Sequence, residues 1–262
     1  MGETRIYYFS GSGNSLHAAM EIAERIKPAK IISMRNDPAA VSAAKADTIG
    51  FIFPVYHWSL PEYARKFIER LEINKNAYIF AVASCGGLPV NALNDFSQIL
   101  KKKGARVSYS GVHNNVASYV AMYEPFPEPE RQLPKAAAEL EEIAGDIARR
   151  TVNEPVRKSV GKEIMRCIQK PFVKALPKKD RGFTVSEDCV SCGICTGVCP
   201  AGNITREDGK PIFLHHCTQC MSCIVFCPRQ AINYKNKTQN RTKYHHPAVT
   251  AAMMAENEMD FN

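Results

Sequence analysis

Apolar residues in the first 150 positions fall into short runs separated by amphipathic stretches. The runs Arg5–Phe9, Lys30–Met34, Thr48–Val55, Tyr78–Ser84 and Arg106–Val112 are too short for helices and predict strands. Asn14–Ile26, Glu62–Leu71, Asn91–Lys103 and Glu130–Arg150 predict helices that alternate with them. Strands that are apolar almost throughout are buried on both faces. The pattern therefore predicts an α/β fold with a doubly wound parallel sheet under helices on either side. EPFPEPERQLP, residues 124–134, breaks the pattern with prolines and predicts a loop.

Beyond residue 150 the pattern changes. VRKSVGKEIMRCIQKPFVKALPKK, residues 156–179, carries Lys158, Lys162, Arg166, Lys170, Lys174 and Lys178 at every fourth position. Val156, Val160, Ile164, Ile168, Phe172 and Leu176 repeat at the same interval, displaced by two. On a helix a displacement of two is about 200°, so one face is basic and the other apolar. Pro171 interrupts that helix. The basic face is either solvated or a docking surface for an acidic redox partner, with a membrane-surface helix as a third reading.

Composition narrows the class. The chain has 262 residues, 45% of them hydrophobic, which suits one or two globular domains. No apolar run reaches the roughly 20 residues of a membrane span. The start, MGETRIYYFS, lacks the basic-then-apolar order of a secretory signal, and Ile6 stands where a myristoylation signal needs Ser or Thr. The expectation is a cytoplasmic protein with no transmembrane segment. A net charge of +8 leaves nucleic acid conceivable, but no nucleic-acid motif accompanies it, so none is expected as a partner.

Two motifs carry chemistry. FSGSGNS, residues 9–15, joins the first strand to the first helix. Backbone N–H groups and a helix N-terminus there favour an anion. The nucleoside-triphosphate pattern G-x-x-x-x-G-K-S/T is absent, and Leu16 fills the third glycine position of a dinucleotide fingerprint. What remains is one phosphate held by neutral donors, or a serine-rich helix cap with no ligand. Ser10-Gly11-Ser12-Gly13-Asn14-Ser15 resembles the flavodoxin loop S/T-x-S/T-G-N-S/T, which wraps the phosphate of FMN. The resemblance covers roughly residues 3–150 and implies five parallel strands in the order 2-1-3-4-5, with FMN at the switch point between strands 1 and 3. It implies further FMN contacts from Pro54, Val55, Tyr56, His57 and Trp58, and from Ser84, Cys85, Gly86 and Gly87. Tyr56, His57 and Trp58 would stack on the ring, and the two glycines would let backbone approach it. Cys85 reads as a small neighbour of the flavin.

CVSCGICTGVCP (189–200) and CTQCMSCIVFCP (217–228) are one motif repeated 28 positions apart. Each is C-x2-C-x2-C-x3-C-P, the iron–sulfur run of bacterial ferredoxins. Three cysteines three residues apart wrap one face of a 4Fe-4S cube, and the fourth crosses to the other cluster. Cys189, Cys192, Cys195 and Cys227 are expected at one cluster, and Cys217, Cys220, Cys223 and Cys199 at the second. Disulfides would need an oxidising compartment, and zinc sites do not place a third cysteine so close. Residues 183–236 resemble the two-cluster ferredoxins throughout. Cys167 reads as inert, and His245-His246 as an ordinary loop pair.

The expected organisation is a flavodoxin-like domain (1–150), a basic interdomain segment (151–182), a ferredoxin domain (183–236) and a tail (237–262). The whole resembles flavodoxin–ferredoxin fusion proteins of anaerobes. That resemblance implies electron transfer between FMN, two 4Fe-4S clusters and redox protein partners. A reductase of a quinone or nitro compound, with the 113–127 loop over the ring, is the alternative. A sensing or binding protein with structural clusters is the third reading.

Overall fold

The computed structural model describes residues 2–153, 171 and 173–262. Most of the basic stripe predicted over 156–179, and Cys167, lie outside them.

Five parallel strands build the centre: β1 (Thr4–Tyr8), β2 (Ala29–Ser33), β3 (Thr48–Pro54), β4 (Tyr78–Cys85) and β5 (Tyr109–Asn114). They lie in the order β2-β1-β3-β4-β5. Between them run α1 (Asn14–Arg25), α2 (Glu62–Arg70) and α3 (Ala92–Lys102), and after them α4 (Pro129–Ala148). α4 opens on Pro129 and carries Pro134 inside it, so the proline-rich stretch is a loop only up to Glu128. Pro129 suits a first helical position, where its missing N–H has no partner to lose.

Alternation along the strands separates two cores. Ile6, Ile52, Phe80 and Val82 point to one face, Tyr7, Phe9, Phe51, Phe53 and Ala81 to the other. Ala64, Phe67 and Ile68 of α2 and Phe96, Ile99 and Leu100 of α3, at helical spacing, cover the second face. Gly50 pairs with Phe80, and a Cβ there would overlap the Phe80 ring.

The first face is covered by more than α1 and α4. Its core continues into Phe183, Val198, Met221, Ile224, Phe226, Ile232 and Met254, far along the chain. A 3-10 helix, Leu176–Gly182, leads into this cysteine-rich unit. Buried Asp180 seats it, accepting from His215 N at 2.8 Å and Asn203 Nδ2 at 3.0 Å. The unit then runs through β6 (Phe183–Val185), α5 (Ile194–Gly197), β7 (Ile204–Glu207), β8 (Lys210–Phe213), α6 (Ser222–Val225) and β9 (Ile232–Tyr234). β6 pairs antiparallel with β9 and β7 with β8. The helix starts of α5 and α6 and the first residues of β7 and β9 are each 28 positions apart, so the cysteine repeat is also a structural repeat.

The segment after residue 237 returns to the first unit. α7 (Ala251–Ala255) leads into β10 (Glu258–Phe261), which pairs antiparallel with β2 and makes a sixth strand at the sheet edge. Lys30, flanked by Glu258 at 3.2 Å and Asp260 at 3.4 Å, marks the register. Arg35 ties three segments together, donating from Nη1 to Gly197 O at 2.6 Å, Ala255 O at 3.0 Å and Met254 O at 3.5 Å. Losing a charged donor to several carbonyls costs about 1–3 kcal/mol. Arg35→Ala should therefore lower the urea midpoint of the intact protein, followed by far-UV circular dichroism, while Arg70→Ala, whose partner Asp37 is exposed, should leave it unchanged.

Candidate cofactor sites

The loop between β1 and α1 forms one side of a cleft of about 350 Å3. That volume is in the range of small-molecule sites. Ser10, Gly11, Ser12, Asn14 and Ser15 line it, together with Pro54–Trp58, Ser84–Leu88, Val116–Tyr119 and, from the cysteine-rich unit, Gln219 and Cys220. Every flavin-site residue expected from the sequence is there except Gly13. Gly13 has φ +92°, the left-handed region, and a Cβ on it would come within 3.0 Å of Val249 and 3.4 Å of His246.

The hydroxyls of the loop retain donors. Ser10 Oγ accepts from Gly13 N at 3.1 Å, and Ser12 Oγ accepts from Ser118 Oγ at 2.8 Å. Each keeps its own proton to give. Ser15 Oγ is buried without a partner. Three O–H donors at the N-terminus of a twelve-residue helix, with no lysine among them, fit a phosphate monoester. Asn14 does not point its amide at the cleft alone: Nδ2 donates to Val116 O and Oδ1 accepts from Tyr244 OH, both at 3.0 Å.

The opposite wall is strained. Tyr56 and Ser59 exchange backbone hydrogen bonds of 3.1 and 3.0 Å, closing a turn with His57 at φ 51° and Trp58 at φ 61°. Two left-handed non-glycine residues cost on the order of 1–3 kcal/mol each. The turn is held from below by Asn91 N on Trp58 O at 3.0 Å, and by Ser59 on Asp95, which also pairs with Arg65. It sets Trp58 at the mouth, 54% exposed, with Leu88, Met122 and Phe126 also exposed around the cleft. Burial, with Lys179 nearby, pushes His57 down to about 4, so it stands neutral there. A Cβ on Gly86 would overlap Ala117, which closes the 84–88 loop onto the 116–126 loop, whereas Gly87 faces open space.

The cysteines gather in two sets. Cys189, Cys192, Cys195 and Cys227 line one cavity, with Arg206 and Arg229 at its edge. Cys199 lies within electrostatic reach of Cys217, Cys220 and Cys223. Cys227, the fourth cysteine of the second run, thus lies with the first three of the other run. The repeat extends to details: Asn203 N donates to Cys199 Sγ at 3.2 Å and Ala231 N to Cys227 Sγ at 3.3 Å, each four residues on. Ser191 and Gln219 share positive φ, as do Gly193 and Met221. Among the described residues no three His, Cys, Asp or Glu are grouped so as to hold a single metal ion. Burial pushes Cys217 and Cys220 up to about 12 and Cys223 well above its ordinary value. An all-thiol donor set of this kind fits an iron–sulfur cluster.

Residues 5–122 match the family described as flavodoxin domain, and residues 188–232 match the 4Fe-4S dicluster domain. The chain is a flavodoxin–ferredoxin fusion. Within the fusion, a stretch of 52 residues is 36% identical to the polyferredoxin protein MvhB of Methanothermus fervidus, spanning 20% of this chain and only 13% of that protein. Among solved structures, the two-electron reduced flavodoxin of Megasphaera elsdenii is 18% identical, with 56% of this chain and 98% of that one covered and a TM-score of 0.41. The FMN-bound flavodoxin of Fusobacterium nucleatum is 13% identical, with 58% and 99% covered and a TM-score of 0.42. The flavodoxin domain points to FMN and the dicluster domain to iron–sulfur clusters, and together they support an electron-transfer role.

Ser118 and Tyr119 belong to the 113–127 loop expected over the ring, whereas Gln219 left no local signal of its own in the sequence. Ser118, Tyr119 and Gln219 meet across the cleft, with Tyr119 OH on Gln219 Oε1 at 3.1 Å. The tail of the fusion clamps the phosphate loop: His246 N donates to Ser12 O at 2.8 Å, and its ring stacks on His17 at 3.9 Å. The pair expected to be an ordinary loop is therefore part of the support for α1.

Two outcomes follow at this site. Gly13→Val should strain the left-handed turn and drive Val249 and His246 off the loop, weakening FMN binding at least about tenfold, as measured by quenching of flavin fluorescence. The histidines give a pH dependence. Burial first, then His17, His113 and His245, pushes His246 down to about 3; burial pushes His113 to about 4 and lowers His17, beside which Glu21 stands at 3.7 Å. Their unfolded value is about 6.5. Below that the unfolded chain binds protons that the folded chain refuses, so stability present above about pH 6.5 is lost as pH falls. His246→Phe keeps a ring on His17 without a proton site, and its melting temperature should fall less steeply than that of the wild type between pH 7.5 and 5.5.

Proposed function

We propose that the fusion is an electron relay in which one chain holds FMN and two 4Fe-4S clusters and passes electrons between redox protein partners. In this reading Ser10, Gly11, Ser12, Gly13, Asn14 and Ser15 hold or shape the phosphate site. Pro54–Trp58 and Ser84–Gly87 flank the ring. Cys189, Cys192, Cys195 and Cys227 carry the outer cluster and Cys199, Cys217, Cys220 and Cys223 the inner one. The working division is 1–150, 183–236 and a tail from 237. FMN supplies one- or two-electron chemistry when bound, and each cluster supplies single electrons.

The observation that carries the reading is Cys220. It belongs to the inner cysteine set and also lines the cleft that contains the phosphate loop. A ligand shared between two sites brings them as close as a protein can without a bond. The outer set, by contrast, opens on a surface where Cys192 and Val190 are exposed, a position suited to an outside partner. Among the described residues no helix is long and apolar enough to cross a membrane.

The exposed rim of Trp58, Leu88, Met122 and Phe126 favours a second reading, in which a small planar acceptor such as a quinone is reduced over the ring. Rapid mixing with a low-potential one-electron donor separates the two. For a relay, flavin absorbance should bleach after the clusters at a rate independent of protein concentration. A rate proportional to protein concentration means that electrons pass between molecules, and the relay reading fails. Absence of steady quinone turnover by the wild-type protein would remove the second reading.

A further inference from the structure

Gly11 occupies the one position of the phosphate-loop pattern at which any residue is allowed, and its backbone is not left-handed. Glycine is required there for another reason. A Cβ on Gly11 would overlap the carbonyl oxygen of Cys220 and lie 2.5 Å from Tyr56 OH. The Gly11 carbonyl accepts from Ser222 Oγ at 2.6 Å, and the Ser222 side chain is wholly buried. The phosphate loop and the inner cluster-binding turn are therefore in backbone contact, closed by a buried hydrogen bond.

The internal repeat shows that this contact is specific to one half. The positions equivalent to Met221 and Ser222 in the other half are Gly193 and Ile194, 28 residues earlier. Ile194 has no hydroxyl to give. Gly193 adopts φ 78° with the freedom of glycine, while Met221 holds φ 65° and buries its side chain in the shared core. At this pair of positions the inner half carries a left-handed non-glycine residue and a buried hydroxyl against the flavodoxin loop, and the outer half carries neither.

We propose that FMN retention is conditional on the inner cluster: Cys217, Cys220 and Cys223, when they hold it, fix the Gln219–Ser222 turn, and through Ser222 and Gly11 that turn fixes the phosphate loop. Ser222 is a positioning residue for the flavin site. The inference rests on the reading that the cleft takes FMN. By linkage the dependence is mutual, so FMN in turn favours the loaded inner site over the empty one. The outer set, none of whose four cysteines lines the cleft, has no such influence.

The test is titration of anaerobically reconstituted full-length protein with FMN, read by fluorescence quenching, with iron assayed on each sample. Cys217→Ser removes an inner ligand that does not line the cleft, and Cys189→Ser is the matched outer change. FMN should bind about tenfold or more weakly to Cys217→Ser and within about twofold of wild type to Cys189→Ser, the tenfold step being about 1.4 kcal/mol of coupling. Ser222→Ala should keep the wild-type iron content yet loosen FMN roughly fivefold, the size of one net hydrogen bond. FMN addition should perturb the EPR spectrum of the cluster that survives in Cys189→Ser and leave unchanged the one that survives in Cys217→Ser. Equal weakening in the two cysteine variants, or unaltered affinity in Ser222→Ala with full iron, would overturn the proposal. If wild-type protein binds no FMN at all, the reading of the cleft falls first, and the iron assay still reports whether the clusters are present.

Discussion

A parallel strand buried on both faces needs apolar cover on both sides, and every other part of this molecule answers to that demand. Along β1 the faces alternate, with Ile6 and Tyr8 to one side and Tyr7 and Phe9 to the other. Two helices suffice for the second side. On the first, α1 and α4 share the work with Met221, Ile224 and Phe226 of the ferredoxin unit and Met254 of the tail. A unit of some fifty residues has little core of its own. By leaning on the sheet it gains one, and its cysteine turn comes to rest on the flavodoxin phosphate loop.

Much of this was legible in the sequence, because its causes are local. The short apolar runs marked all five parallel strands, and only the last began three residues later than expected, at Tyr109 rather than Arg106. The serine–glycine loop and the cysteine spacing are also local patterns, and the structure gathers their residues into a cleft and two thiol sets. What was not legible depends on segments remote in the chain. β10 is short, and its charges, Glu258 and Asp260, make sense only beside Lys30. Tyr244 and His246 are unremarkable until they meet Asn14 and His17. Gly11 stands where the loop pattern allows any residue, and only the fold shows that Cys220 needs the space.

The cleft also concentrates what a folded chain ordinarily avoids. His57 and Trp58 are left-handed without being glycine, Ser15 keeps a buried hydroxyl without a partner, and Trp58 and Leu88 face outward. Left-handed non-glycine residues occur elsewhere too, but at the cleft they coincide with a partnerless hydroxyl and exposed apolar side chains, which marks a surface shaped for something other than stability.

The repeat within the ferredoxin unit has a geometric consequence. A duplicated fold carries an approximate two-fold axis, and an object of that kind can be presented to a neighbour in two orientations of nearly equal shape. Either end could in principle face the flavodoxin loop. Turned around, the unit would offer Ile194 where Ser222 now stands, and the Gly11 carbonyl would be sealed from water with nothing to accept. A buried acceptor left unsatisfied costs about 1–3 kcal/mol. One serine in place of one isoleucine therefore breaks a degeneracy of about two into a preference of roughly ten- to a hundredfold, and gives a symmetric module a front and a back.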